Sequence, residues 1–143
     1  MVIVDTNIIL RYLLNDDEKL SKKATDIIDN NDIFIPNEVI IEACYVLKKL
    51  YNVEKEIIYT LIIELMAQDN IHFTNRSLIY ETFKVYSKKN LDLVDCILFA
   101  YSKIDNQEIK TFDKKLEKIL NSVWCINKES SLKSYWIFLN IVL

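Results

Sequence analysis

Apolar residues fall into two kinds of run along this chain. The first kind is short and rich in β-branched residues: Val2-Ile3-Val4, Ile33-Phe34-Ile35, Ile71-His72-Phe73 and Ile109-Lys110-Thr111-Phe112. Each reads as a strand, the first as a buried one, and Val123 to Ile126 is a fifth candidate. The second kind repeats at three- and four-residue spacing, the period of a helix with one inward face. Ile8, Ile9, Tyr12 and Leu13 open such a helix after the polar Asp5-Thr6-Asn7. Asp16-Asp17-Glu18 ends it and caps a second, with Leu20, Ala24, Ile27 and Ile28 as its stripe. Pro36 stops the second strand, and Asn37 is expected to cap a helix reaching about Leu50. Further helices are predicted over Val53–Gln68, Ser77–Lys88, Asp92–Ile104 and Asp113–Leu120.

Short strands alternating with helices predict an α/β class with a parallel sheet. A chain of 143 residues fits one domain, and 51% hydrophobic content supplies a core. No internal repeat or linker interrupts it. The segment after Asn127 is different: Tyr135 to Leu143 is almost wholly apolar and aromatic. It is shorter than the roughly 20 residues a membrane helix needs, so no membrane partner is expected.

Composition removes several chemistries. With no Gly, neither a phosphate-binding P-loop nor a dinucleotide fingerprint can exist. The single histidine, His72, rules out a paired-histidine acid–base mechanism. Cys44, Cys96 and Cys125 are far apart, without the spacing of a zinc site. They read as buried, reduced thiols, consistent with a cytoplasmic protein. The opening residues lack the basic region of a signal peptide. A formal charge of −3 gives no global signal for nucleic acid, so any such surface must be local.

Four acids interrupt apolar segments instead of decorating polar ones. Asp5 ends the first strand and Asp113 follows the fourth. Glu42 breaks Val39-Ile40-Ile41-Glu42-Ala43-Cys44, and Asp95 breaks Leu91-Asp92-Leu93-Val94-Asp95-Cys96. Open parallel sheets bind ligands beyond the carboxyl ends of their strands. Asp5 and Asp113 would share that crevice if their strands are neighbours. Carboxylates set in apolar surroundings are costly unless paired or bound to metal, and an all-oxygen set favours Mg²⁺ or Mn²⁺. The bland reading competes at each position. Asp5, Asp92 and Asp113 suit helix caps, Asp95 suits a first-turn acid, and Glu42 suits a half-exposed helix.

Taken in order, these segments resemble the PIN-domain family. Met1-Val2-Ile3-Val4-Asp5-Thr6-Asn7 is similar to its opening strand ending in Asp-Thr/Ser-Asn. Glu38-Val39-Ile40-Ile41-Glu42 resembles its second acidic motif, Leu91 to Leu98 its Asp-x-x-Asp-Ala-Leu segment, and Ile109 to Leu116 its closing Thr-x-Asp motif. Cys96 stands where Ala is common. The best-matched subgroup is the VapC-like toxin ribonucleases.

The resemblance covers residues 1–126 as a nuclease domain and leaves 127–143 as a tail without assigned role. It implies a PIN-like α/β/α sandwich with a short central parallel sheet. It also implies an endoribonuclease that cleaves RNA with water activated by Mg²⁺ or Mn²⁺, as the toxin of a type II toxin–antitoxin pair. Asp5, Glu42, Asp95 and Asp113 would be the catalytic, metal-holding acids. Asp92, Thr6, Asn7 and Thr111 would be accessory groups. Partners would be RNA, a small antitoxin protein and a second copy of the chain as a homodimer.

For RNA contact, Arg11, Lys114 and Lys115 are the favoured cations, and Lys48, Lys49, Arg76, Lys88 and Lys89 read as solvated. Tyr45, Tyr51, Tyr59, Tyr80 and Tyr86 read as core or interface residues. The alternatives are a catalytically inactive PIN-like interaction module and a solitary RNA-processing nuclease. A phosphoaspartate receiver is disfavoured because Asp5 has no acid beside it.

Overall fold

The computed structural model describes residues 1–122. Its elements are β1 (Val2–Ile3), α1 (Thr6–Leu14), α2 (Glu18–Asp29), β2 (Ile33–Ile35), α3 (Asn37–Lys49), α4 (Lys55–Met66), β3 (Ile71–Phe73), α5 (Arg76–Lys88) and α6 (Leu93–Asp105). A further helix, α7, covers residues 114–122. The chain divides into two compact units, Met1–Ile97 and a second beginning at Leu98, with the boundary inside α6.

The first unit holds a parallel sheet in the order β1-β2-β3. Val2 pairs with Ile33 and Ile3 with Phe34, and β2 pairs in turn with Ile71 to Phe73. Two helices separate each strand from the next, as parallel connections require. The architecture is the expected α/β/α sandwich around a short parallel sheet.

Burial follows the predicted stripes. Ile33 and Ile35 on β2, Ile9 on α1, Ile28 on α2, Ile40 and Leu47 on α3, Ile58 and Ile62 on α4, and Ile79 and Phe83 on α5 are fully enclosed. Each removes a side chain worth about 1.5–3 kcal/mol from water.

Three local expectations are corrected. Among the described residues the first strand is an edge rather than a buried strand: Ile3 is 68% exposed, and only Val4, just beyond it, is enclosed. Pro36, not Asn37, occupies the N-cap of α3 and makes no side-chain cap bond. Proline suits the start of a helix because an orphan donor is already missing there. The fourth strand, Ile109–Phe112, is not formed: those residues are irregular and Phe112 is fully exposed. Local hydrogen bonds compete with strand pairing here. The Thr111 hydroxyl accepts the Asp113 N–H at 3.0 Å, and Lys110 pairs with Glu108. The fifth candidate, Val123–Ile126, and the tail from 127 lie outside the described residues.

A chain without glycine must turn its helices off another way. Asn15, Asn52 and Asn106 carry the positive φ angles, at 50°, 53° and 52°. Asparagine tolerates this left-handed conformation better than other side chains with a Cβ. No helix among the described residues is long and apolar enough to cross a membrane.

Candidate active site

Asp5 leaves β1 as the N-cap of α1, its Oδ1 accepting the Ile8 N–H at 3.0 Å. One carboxylate oxygen thus anchors the helix start, where the dipole favours negative charge, and the other can serve a ligand. The next residue reaches across to α3: the Thr6 hydroxyl donates to Glu42 Oε2 at 2.5 Å. Asp5, Thr6, Asn7 and Glu42 line one hollow of about 380 Å³, walled by Leu10, Val46 and Leu50 with Arg11 and Tyr51 at its rim. The hollow is therefore lined by carboxylate, hydroxyl and amide oxygens together with apolar side chains.

Arg11 does not stand free in this rim. Its Nη1 contacts both Asp16 carboxylate oxygens at 2.7 Å, and the Tyr51 hydroxyl donates to Asp16 Oδ2 at 3.1 Å. The guanidinium holds the Asp16 carboxyl below its usual range, and Asp16 in turn raises Arg11.

Asp92 and Asp95 line a second hollow, of about 480 Å³, with Tyr45, Lys48, Lys49, Lys55 and Tyr86. Asp92 immediately precedes α6, and its carbonyl accepts the Cys96 N–H at 3.1 Å, as a helix cap does. Lys55 is structural here: its Nζ donates to the Leu91 carbonyl at 2.6 Å and lies 4.3 Å from the Tyr86 ring centroid. In the second unit, Asp113 caps α7, its Oδ1 accepting the N–H groups of Lys115 and Leu116 at 2.8 Å each. Thr111 steadies that cap, and Lys114 and Lys115 are exposed beside it.

The structure thus brings Asp5, Thr6, Asn7 and Glu42 together, pairs Asp92 with Asp95, and puts Thr111 beside Asp113. Among the described residues, no group of three or more Asp, Glu, His or Cys is close enough to hold one metal ion. Asp5, Glu42, Asp92 and Asp113 are exposed and Asp95 is half-buried, so the cost of burying them no longer argues for a metal. The chemistry of the first hollow still does. Mg²⁺ is characteristically bound through one or two carboxylates plus water and substrate phosphate, and Asp5 with Glu42 supplies such a pair.

A model of the PIN domain family matches residues 2–120. The chain belongs to the PIN domain family. A VapC ribonuclease from Aquifex aeolicus (strain VF5) is 28% identical over 130 residues, covering 83% of this chain and 92% of the relative. The matched span contains Asp5, Glu42, Asp92, Asp95 and Asp113.

Further residues border the site of this PIN domain or were read from the sequence alone. Tyr45, read as core or interface, is 58% exposed, and Leu50 is 77% exposed. Their positions at i+3 and i+8 from Glu42 were the available signal. Asp16 and Tyr51, which clasp Arg11, carried none, since one lies in a loop cap and the other after the end of α3. Cys44 and Cys96 are buried, as expected. Burial pushes both thiols up, Cys96 to about 12, which leaves them protonated and inert. His72 is exposed on β3, away from any of the acids' hollows.

Proposed function

We propose that this PIN domain is a divalent-metal-dependent endoribonuclease and the toxin of a type II toxin–antitoxin pair. The observation that carries the reading is the Asp5–Glu42 hollow, in which Thr6 tethers the second acid to the start of α1. The VapC ribonuclease relative supports the choice of RNA and of a toxin. The nuclease domain is assigned to residues 1–126, in keeping with the family match over 2–120.

In this reading Asp5 and Glu42 hold Mg²⁺ or Mn²⁺, and Asp95 and Asp113 are the further metal-holding acids that the family resemblance assigns. The ion, when bound, supplies Lewis acidity toward water and a phosphoryl oxygen. The chain's own contribution is orientation. The Ile8 N–H fixes one Asp5 oxygen, so the other keeps a defined direction. The Thr6 hydroxyl does the same for Glu42 and leaves Oε1 to face the hollow or accept a proton from water. Thr111 and the α7 amides orient Asp113. Asp92 and Asn7 are accessory polar groups, and Arg11, Lys114 and Lys115 contact the RNA backbone. Hydrolysis by water leaves a 5′-phosphate and a 3′-hydroxyl. The apolar wall of Leu10, Val46 and Leu50 offers a small antitoxin a place beside the acids, and a homodimer would cover further apolar surface.

The test is RNA cleavage with Mg²⁺ or Mn²⁺ by the wild-type chain and by Asp5→Asn. Cleavage that needs the metal and collapses in the variant supports the reading. Undiminished cleavage by a folded Asp5→Asn protein contradicts it. A PIN fold acting only by protein contact, suggested by the exposed Leu50, predicts no metal-dependent cleavage by either protein.

A further inference from the structure

Helix α3 is a ridge between the two hollows: Glu42, Val46 and Leu50 line one, and Tyr45, Lys48 and Lys49 line the other. Glu42, Tyr45 and Lys49 stand at i, i+3 and i+7, so they share the crest of that ridge over about 10 Å. Tyr45 is 58% exposed, far more than a core ring would be. The Lys49 ammonium lies 5.9 Å from its ring centroid. The cation and the ring therefore present a joint surface, one wall of which ends at the acid Glu42.

We propose that Tyr45 and Lys49 form a single-stranded RNA contact beside the Asp5–Glu42 hollow, with Tyr45 stacking on a base and Lys49 holding a phosphate. The assignment rests on the ribonuclease reading above and adds to it how the strand is held. Single-stranded nucleic acids are bound by aromatic platforms interleaved with cations, because every base offers a π-face and every nucleotide a charge. The chain is acidic overall, so a local cation on the exposed ridge matters more than the net charge. Of the other lysines in the hollow, Lys55 is occupied by carbonyls and Tyr86, and Lys48 pairs with Glu54 at 3.6 Å. Tyrosine suits a protein interface as well, but lysine is depleted from interface cores, so the Tyr45–Lys49 pair favours RNA.

The experiment is fluorescence anisotropy of the full chain with a labelled single-stranded 12-nucleotide RNA, in EDTA so that binding is measured without cleavage. Tyr45→Ala and Tyr45→Leu should each weaken binding about tenfold, and Tyr45→Phe should retain it, since stacking needs only the ring. Lys49→Gln should reduce the slope of log affinity against log salt by about 0.7, whereas Lys118→Gln on α7 should not. Tyr45→Leu keeps the site apolar, and Lys49 is a separate surface change, so neither result depends on one variant folding.

If the wild type binds and cleaves RNA but the Tyr45 and Lys49 variants bind equally well, this contact is wrong and the ribonuclease reading survives. Unchanged RNA affinity with an altered monomer–dimer equilibrium assigns the ridge to self-association and equally overturns it. If the wild type neither binds nor cleaves RNA, both readings fall.

Discussion

The two hollows flanking α3 use the same residue types to opposite effect. In the first, Asp5 and Glu42 share the lining with Leu10, Val46, Leu50 and one cation, Arg11, which is paired with Asp16, while Lys23 lines an adjoining hollow with Asp5. In the second, Asp92 and Asp95 share their space with three lysines. The second hollow is therefore mixed in charge, whereas carboxylate oxygens dominate the first. The difference teaches that acids should be weighed by what else lines their hollow, not by their interruption of an apolar run.

The comparison can be broken at several points. The largest effect should come from the core beside Tyr86, a lining residue of the second hollow. Phe83 is fully buried and meets Tyr86 edge-on, with centroids 6.3 Å apart at 87°. Phe83→Ala should cost about 3–5 kcal/mol in a urea titration. A loss under about 1 kcal/mol would mean that Phe83 is not part of the core.

Next is the first hollow. Asp5→Asn should lower metal-dependent RNA cleavage about 100-fold or more, since each factor of ten is about 1.4 kcal/mol of barrier. The variant can still accept the Ile8 N–H through its amide oxygen, so its thermal midpoint should fall little. A large drop in midpoint with normal cleavage per folded molecule would make Asp5 a cap alone.

The pair Asp92 and Asp95 sharpens the contrast. If Asp95 joins the metal-holding acids, Asp95→Asn should cut cleavage about tenfold or more, while Asp92→Asn stays within about twofold. Equal and negligible effects would leave the second hollow with no part in the chemistry beyond RNA contact.

The smallest effect concerns the rim. Arg11 holds Asp16 below its ordinary pKa, so folding is favoured while Asp16 is charged. That contribution is present above the unfolded value of about 3.9 and is lost as pH falls through the lower folded value. Asp16→Asn should therefore lower the thermal midpoint slightly at neutral pH, with the gap closing in acid. A gap independent of pH would show that Arg11 and Asp16 contribute no ionic stabilisation.

Much of the fold was legible because period and capping chemistry are local. Ile33–Ile35 and Ile71–Phe73 were bounded correctly from their own residues, and Asp17 caps α2 as its place before Glu18 suggested. The failures were non-local. Ile109–Phe112 has the composition of a strand, yet Thr111 and Asp113 satisfy the backbone by turning it into a helix cap. The first strand looked buried because its residues are apolar, but burial depends on what lies alongside. At the site, Asp5 and Glu42 were legible as acids at strand and helix positions. Their link through Thr6 was not, because a contact 36 residues apart leaves no periodic trace. Tyr45, read as core or interface, is no core residue at 58% exposure: helical spacing gives a residue's face, not whether anything covers that face.

The central claim is that Asp5 and Glu42 form a divalent-cation site, and Mn²⁺ binding measured directly on the protein tests it without an assay of cleavage. Titration calorimetry, or the loss of the free Mn²⁺ spin-resonance signal, should show saturable binding by the wild-type chain. Asp5→Asn and Glu42→Gln should each weaken it about tenfold or more, as removal of one anionic oxygen ligand implies. Equal Mn²⁺ affinity in all three proteins, each folded, would contradict the account.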